Sequence, residues 1–235
     1  MATSEINRPS PRDPSPNRPR ALILFGAPGS GKGTQARLLS EALRIPTIST
    51  GDMLREHIQA GDAIGKGVSG TMGEGHLVSD ELVSGLVTER LAQGDCEQGF
   101  ILDGYPRTRQ QAETLDRMLA ERGVEPVVIH LVVDYNIVIA RLSRRSQCPL
   151  CGTLYNATSK PPRAVGVCDK DGAKLAVRDD DQAAVVRERL DAYQRQTKPL
   201  LEYFRQTGRR LEEIDASYQT PAILSGQIRG ILERP

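Results

Sequence analysis

The chain contains no tryptophan, only three Phe and six Tyr, and aromatic residues make up 4% of its 235 positions. Proteins that hold single-stranded nucleic acid stack bases on aromatic platforms inside basic grooves. Neither feature is present, because 31 Lys and Arg stand against 30 Asp and Glu for a net charge of +1. The same balance argues against a polybasic membrane binder. No apolar run approaches the ~20 residues that a membrane-spanning helix needs, and the most apolar stretch, Val127 to Val133, is interrupted by His130. The N-terminus lacks the basic start, apolar centre and small-residue cleavage site of a secretory signal. The expectation is a cytoplasmic protein with no membrane or nucleic-acid partner. Cysteine is also scarce. Three of the four cysteines crowd into one short stretch, which in a reducing compartment points to a metal site rather than to disulfides.

What is present is ordinary for a globular protein: 38% hydrophobic and 26% charged residues, in a chain long enough for one core with an inserted subdomain. Residues 1–20 hold five of the 15 prolines and four Arg with few apolar side chains. Such a segment buries too little surface to offset its ordering entropy, so a disordered tail is expected. A transit peptide is the alternative, and Glu5, Asp13 and the proline density speak against it. From Ala21 onward, short β-rich runs alternate with helical periodicity. Strands are expected at 21–25, 46–49, 100–102, 127–133 and 211–214. Helices are expected at 32–43, 52–60, 80–92, 108–122, 136–145, 181–206 and 220–233. That alternation predicts an α/β fold with a parallel sheet flanked by helices. Residues 146–180 break the rhythm. A structureless loop of that length inside a compact domain is improbable, and its cysteines suggest what folds it.

The run Gly26-Ala27-Pro28-Gly29-Ser30-Gly31-Lys32-Gly33-Thr34 follows the first strand and opens the first helix. It is a G-x-x-x-x-G-K phosphate loop with Gly33 at the usual Ser/Thr position and Thr34 one place later. Glycines let successive backbone N–H groups turn inward around phosphate oxygens, and the helix N-terminus adds positive potential. Lys32 puts a charge where β- and γ-phosphates would lie. No N-K-x-D guanine-reading motif follows, so a switch GTPase is not indicated.

Two further motifs stand at strand ends: Ser49-Thr50-Gly51-Asp52-Met53-Leu54-Arg55, and Gly99-Phe100-Ile101-Leu102-Asp103-Gly104-Tyr105-Pro106-Arg107. With the phosphate loop, from about Ala21 to the C-terminus, the chain resembles the adenylate kinase family of P-loop nucleoside monophosphate kinases. The resemblance implies reversible transfer of the γ-phosphoryl group of ATP to AMP, giving two ADP, with Mg²⁺ as working cofactor and a monomeric enzyme. It implies a core at 21–48, 79–143 and 182–235, a helical AMP-binding insert at 49–78 and a lid at 144–181. The chemistry agrees, since two anionic nucleotides must be held in line and arginine supplies bidentate contacts.

By the resemblance, Gly29, Ser30, Gly31, Lys32, Gly33 and Thr34 hold ATP phosphates, while Leu154, Tyr155 and the Glu213 backbone meet its base. Arg55 and Arg107 grip the AMP phosphate. Thr50, His76, Leu77, Val78, Gly104, Tyr105, Pro106 and Gln111 surround the rest of AMP. Asp103 resembles the Walker B carboxylate that orders Mg²⁺ through water. Arg141 and Arg145, four apart on one expected helix face, and Arg178 and Arg189 are expected to contact phosphates on lid closure; Arg144 competes with Arg145 by one position. Gln111 also sits at capping-box spacing from Thr108. Thr50 favours AMP, because its hydroxyl can bond a purine edge.

Cys148-x-x-Cys151 is followed, after sixteen residues, by Cys168-x-x-Asp171. Two such knuckles predict a closed, zinc-ribbon-type tetrahedral site with three thiolates and one carboxylate. Asp169 is the competing oxygen ligand, and Cys96 is expected to be a bystander. Zinc there would be structural, and the resemblance supports a zinc lid of long-form bacterial type.

Overall fold

The computed structural model describes residues 21–234, so the expected disordered tail lies outside the described residues. Five parallel strands form the central sheet: β1 (Ala21–Phe25), β2 (Thr47–Ser49), β3 (Phe100–Asp103), β4 (Pro126–Val132) and β7 (Arg210–Asp215), in the order β2-β3-β1-β4-β7. Side chains alternate across it as a pleated strand requires. Ala21, Ile23, Phe25, Phe100 and Leu102 enter one apolar layer, whereas Leu22, Leu24, Ile101, Ile129 and Leu131 enter the other. A sheet covered on both faces needs strands that are apolar at every position, and β1 is buried throughout.

The helices on the first face include α4 (Asp80–Leu91), α5 (Arg109–Glu121) and α8 (Leu200–Gln206); α1 (Lys32–Leu43) and α9 (Pro221–Leu232) cover the second. The α9 helix starts at Thr220, whose hydroxyl accepts from the Ile223 N–H, with Pro221 at the position proline favours. Helix α5 begins at Thr108, whose hydroxyl accepts from the Gln111 N–H, as the capping-box spacing predicts.

Two expectations need correction, and one segment that periodicity alone left unassigned is filled by a helix. The segment after α2 (Thr50–Ala60) is helical, forming α3 (Ala63–Gly73), although its four glycines (65, 67, 70 and 73) give it poor intrinsic propensity. Close packing overrides propensity: a Cβ on Gly65 would stand 2.1 Å from the His57 carbonyl oxygen. Asp62 caps the helix, its carboxylate accepting from the Gly65 N–H at 2.8 Å. Helix α6 (Tyr135–Ser143) ends early, so Arg145 lies on a separate strand rather than one helix face with Arg141. The single long helix expected at 181–206 is α7 (Ala183–Ala192), a π turn (Tyr193–Thr197) and α8. Residues 144–181 contain a small antiparallel pair, β5 (Arg145–Gln147) with β6 (Leu154–Asn156). Their core is Cys148, Tyr155 and Cys168, with Ala173 and Leu175 packed on it.

Candidate active site

The phosphate loop lies between β1 and α1 at the C-terminal edge of the sheet. Gly29 and Gly31 have φ of +79° and +105°, conformations that glycine adopts without a steric penalty. Gly33 has a different reason: a Cβ there would stand 3.1 Å from Asp103 Oδ2, so the side chain usual at this position would crowd that carboxylate. Among the described residues the Ser30 hydroxyl, buried within the loop, finds no hydrogen-bond partner. Lys32 Nζ donates to the Gly26 and Ala27 carbonyls at 2.8 and 2.9 Å. Burial pushes the lysine down to about 8, against the opposing pull of Asp103 and with help from Arg107. Burial raises Asp103 above the usual carboxylate range, and Lys32 opposes it.

The facing wall carries arginines. Arg107 is pushed down to about 10 by burial and by Arg189. Its Nε donates to the Gly104 carbonyl at 2.8 Å, its backbone N–H donates to Gln111 Oε1 at 2.8 Å, and its carbonyl accepts from the Thr197 hydroxyl at 2.9 Å. Arg178 is also pushed to about 10, by burial and then by Arg55; it hydrogen-bonds Gln147 and lies 3.5 Å from Asp52. Arg55 pairs with Asp52 at 2.5 Å. Burial works to raise Asp52, but the Arg55 guanidinium, together with Arg178, holds the carboxyl low. Arg189 pairs with Asp180 at 3.0 Å and Asp181 at 3.1 Å. Arg145 Nε donates to Asp181 Oδ2 at 2.7 Å. Arg144 is exposed and bonds Thr158, so Arg145 is the one that faces the cleft. Arg141 donates to the Ala216 and Ser217 carbonyls at 2.8 and 2.9 Å.

One cleft is lined by the phosphate loop, Thr50, Arg55, His76, Leu77, Val78, Asp103, Gly104, Arg107, Gln111, Arg141, Arg145, Leu154, Tyr155, Arg178 and Arg189. Three expected residues do not line it. Tyr105 is buried beneath, its hydroxyl 3.0 Å from that of Ser84. Pro106 faces a small adjoining pocket. Glu213 turns to His130 at 3.2 Å and Arg205 at 2.5 Å; Ala216, Gln219 and Pro221 line the cleft in that region instead. Sequence reasoning also missed Asp52, Asp180 and Asp181, which pair with the arginines, and Asp80, which holds Gln111. Their only local signals are an acidic run before a helix and an acidic first turn. Residues 144–181 reach α2, where Gln59 Nε2 donates to the Pro149 carbonyl at 3.3 Å.

The Sγ atoms of Cys148, Cys151 and Cys168 and a carboxylate oxygen of Asp171 lie within 4.8 Å of one another. Backbone N–H groups of Cys151 and Lys170 point at the Cys148 and Cys168 sulfurs. Asp169 is used elsewhere, accepting from the Arg163 N–H at 2.8 Å. Cys96 is buried far along the chain beside Arg90 and Asp95.

A parallel sheet with a phosphate loop at the end of its central strand, opening on a cleft rich in arginine, defines a P-loop nucleotide-binding protein. The adenylate kinase family model matches residues 24–209. The chain is 46% identical over 214 residues to the adenylate kinase of Archaeoglobus fulgidus, covering 91% of this chain and 98% of that protein. It is 48% identical over 204 residues to the adenylate kinase of Moorella thermoacetica, covering 86% and 94%. It is also 48% identical over 188 residues to that of Oceanobacillus iheyensis, covering 80% and 87%. The chain belongs to the adenylate kinase family, and it is an enzyme: a nucleotide-binding kinase.

Proposed function

We infer that the protein transfers the terminal phosphoryl group of Mg-ATP reversibly to AMP, giving two ADP. One observation carries this reading: the phosphate loop, including Lys32, and a cluster of arginines line the same cleft. Two anionic groups need two cationic cradles, and the loop amides and Arg55–Arg107 supply one each. Lys32, Arg145, Arg178 and Arg189 lie where charge spreads over the transferring phosphoryl oxygens, and Arg141 braces the loop through the Ser30 carbonyl at 3.4 Å. No protein nucleophile is required, because an oxygen of the ionised AMP phosphate attacks the γ-phosphorus as the bond to the β,γ-bridging oxygen breaks. The carboxylates of Asp52, Asp180 and Asp181 neutralise the arginines before substrate arrives, and substrate phosphates compete with them. Leu154 and Tyr155 cover the donor side, and Ala216, Gln219 and Pro221 line the cleft beside its base. His76, Leu77, Val78, Thr50, Gly104 and Gln111 form the acceptor pocket.

Asp103 suits a role toward Mg²⁺: a nearby cation would offset the burial that raises its carboxyl. Magnesium bound with ATP neutralises phosphate charge, and Asp103 would order its water shell. The lid donor set fits zinc. Three thiols and a carboxylate crowded within 4.8 Å are satisfied together by a tetrahedral ion, which would replace the apolar core that five residues cannot supply. The proposal extends to a core at 21–48, 79–143 and 182–235, an AMP-binding insert at 49–78 and a lid at 144–181. It also extends to a cytoplasmic monomer working on free nucleotides. Among the described residues no helix is long and apolar enough to cross a membrane.

Product analysis with Mg-ATP and each of AMP, CMP, UMP and GMP tests the reading. ADP formed at twice the rate of ATP loss, with AMP alone, is expected. ATP loss independent of any monophosphate would overturn it, and transfer to CMP or UMP would overturn the acceptor assignment alone.

A further inference from the structure

The acceptor side of the cleft has an apolar slot lined by Leu54, Met72 and Val83, with two polar side chains in it, Thr50 and Gln111. Both are buried, at 4% and 2% exposure, and protein partners set the hydrogen-bonding polarity of each. The Thr50 hydroxyl donates to the Gly104 carbonyl at 2.9 Å, so toward a ligand its oxygen only accepts. The Gln111 carboxamide is held at both ends. Its Oε1 accepts from the Arg107 N–H at 2.8 Å, and its Nε2 donates to Asp80 Oδ1 at 2.7 Å. An ionised carboxylate only accepts and a backbone N–H only donates, so the partners' chemistry dictates which end of the amide is which. Asp80 is fixed in turn: its other oxygen accepts from the Thr108 hydroxyl at 2.7 Å, and it stands in the first turn of α4, where the helix dipole favours a carboxylate. A primary amide has two donor hydrogens and two acceptor lone pairs. One of each is taken, which leaves one N–H on Nε2 and one lone pair on Oε1 in a fixed order.

We propose that Asp80 is a specificity-determining positioning residue, which locks the Gln111 amide so that the slot accepts adenine and rejects purines of opposite edge polarity. The inference deepens the AMP assignment above and rests on it. Adenine presents an acceptor at N1 beside a donor amine at N6, matching the free N–H and lone pair of Gln111 and the acceptor-only oxygen of Thr50. Guanine and hypoxanthine present N1–H beside a carbonyl oxygen, the reverse order. To pair with them the amide would have to flip, turning Oε1 onto the Asp80 carboxylate and Nε2 onto the Arg107 N–H. Two hydrogen bonds would become two repulsive contacts in a buried site. Sites that hold such groups unpaired against the wrong ligand discriminate strongly. Asp80 acts here through Gln111, without touching the substrate itself.

The test compares kcat/KM for AMP, IMP and GMP in the wild-type enzyme and in Asp80→Asn. Asparagine keeps the size of Asp80 and its bond from Thr108, yet it can turn an NH₂ group toward a flipped Oε1. The AMP-over-IMP and AMP-over-GMP ratios are expected to fall about tenfold or more, mainly through KM, while kcat with AMP stays within about threefold of wild type. Asp80→Ser withdraws the carboxylate while keeping a residue tolerated in a first helical turn, and it should lower the ratios in the same way if the Asn variant does not fold. Equal losses with all three acceptors, or a lowered melting temperature with unchanged ratios, would mean that Asp80 only supports α4 and would overturn the inference. A wild-type enzyme that transfers nothing to AMP would instead overturn the acceptor reading on which it rests.

Discussion

Asp181 is a carboxylate shared by Arg145 and Arg189, and Asp181→Asn tests the electrostatic account of the arginine cluster. Its side chain has no solvent exposure. It accepts from Arg145 through Nε and Nη2, and from Arg189 Nη1 at 3.1 Å. The first contact ties the two ends of residues 144–181 together, and the second ties them to α7. Breaking a buried ion pair by removing one partner typically costs 3–5 kcal/mol. Here both guanidiniums are 16% exposed to the cleft, and asparagine retains one acceptor oxygen, so about 3 kcal/mol is the appropriate figure. For a domain of this size that corresponds to a fall in melting temperature of roughly 6–12 °C. The two guanidiniums, freed of their shared counter-charge, should bind phosphate groups more readily. A non-hydrolysable ATP analogue should therefore raise the melting temperature of the variant more than that of the wild type, measured by calorimetry at equal ligand concentration. A variant that melts within a degree or two of wild type, with the same ligand response, would refute the argument.

Replacing Cys148 and Cys151 by Ser should abolish the stoichiometric zinc expected in the purified enzyme and lower its melting temperature; unchanged melting, with no metal in the wild type by elemental analysis, would remove the structural ion. Arg107→Ala should cut turnover by about 10²–10³-fold while circular dichroism stays native, and near-normal turnover would take Arg107 out of the site. His130, on β4, has its pKa lowered by burial, with Glu213 opposing. Because the folded state resists protonation that the unfolded chain accepts, the stability is complete above the ordinary value of 6.5 and is lost as the pH falls below it. His130→Asn should flatten that slope in urea titrations run across the same pH range, and an unaltered slope would exclude His130 as its source.

The features legible in the chain share one property: each depends on a few consecutive residues. The phosphate loop was readable because glycines and a helix start dictate backbone geometry locally. The buried strand Ala21–Phe25 was readable from its unbroken apolar run, and the metal cluster from two short knuckles. Periodicity assigned no helix at α3, although the resemblance implied a helical insert there: its glycines disfavour a helix, and packing against His57 requires one of them. The site divides in the same way. Arg55 and Arg107 lie within motifs and were found. The orientation of each guanidinium, and the carboxylates that hold it, depend on partners brought from far along the chain: Asp181 to Arg145, 36 residues away, and Asp80 to Gln111, 31 residues away. The Glu213 backbone was expected beside a base; where its side chain goes, onto His130, follows from the register of adjacent parallel strands, which no local pattern records. Residue type and short spacing carry the chemistry a site is able to perform. Which face each side chain turns to, and so what the site accepts, is decided only when distant segments close on one another, since burial and charge pairing act through space rather than along the chain.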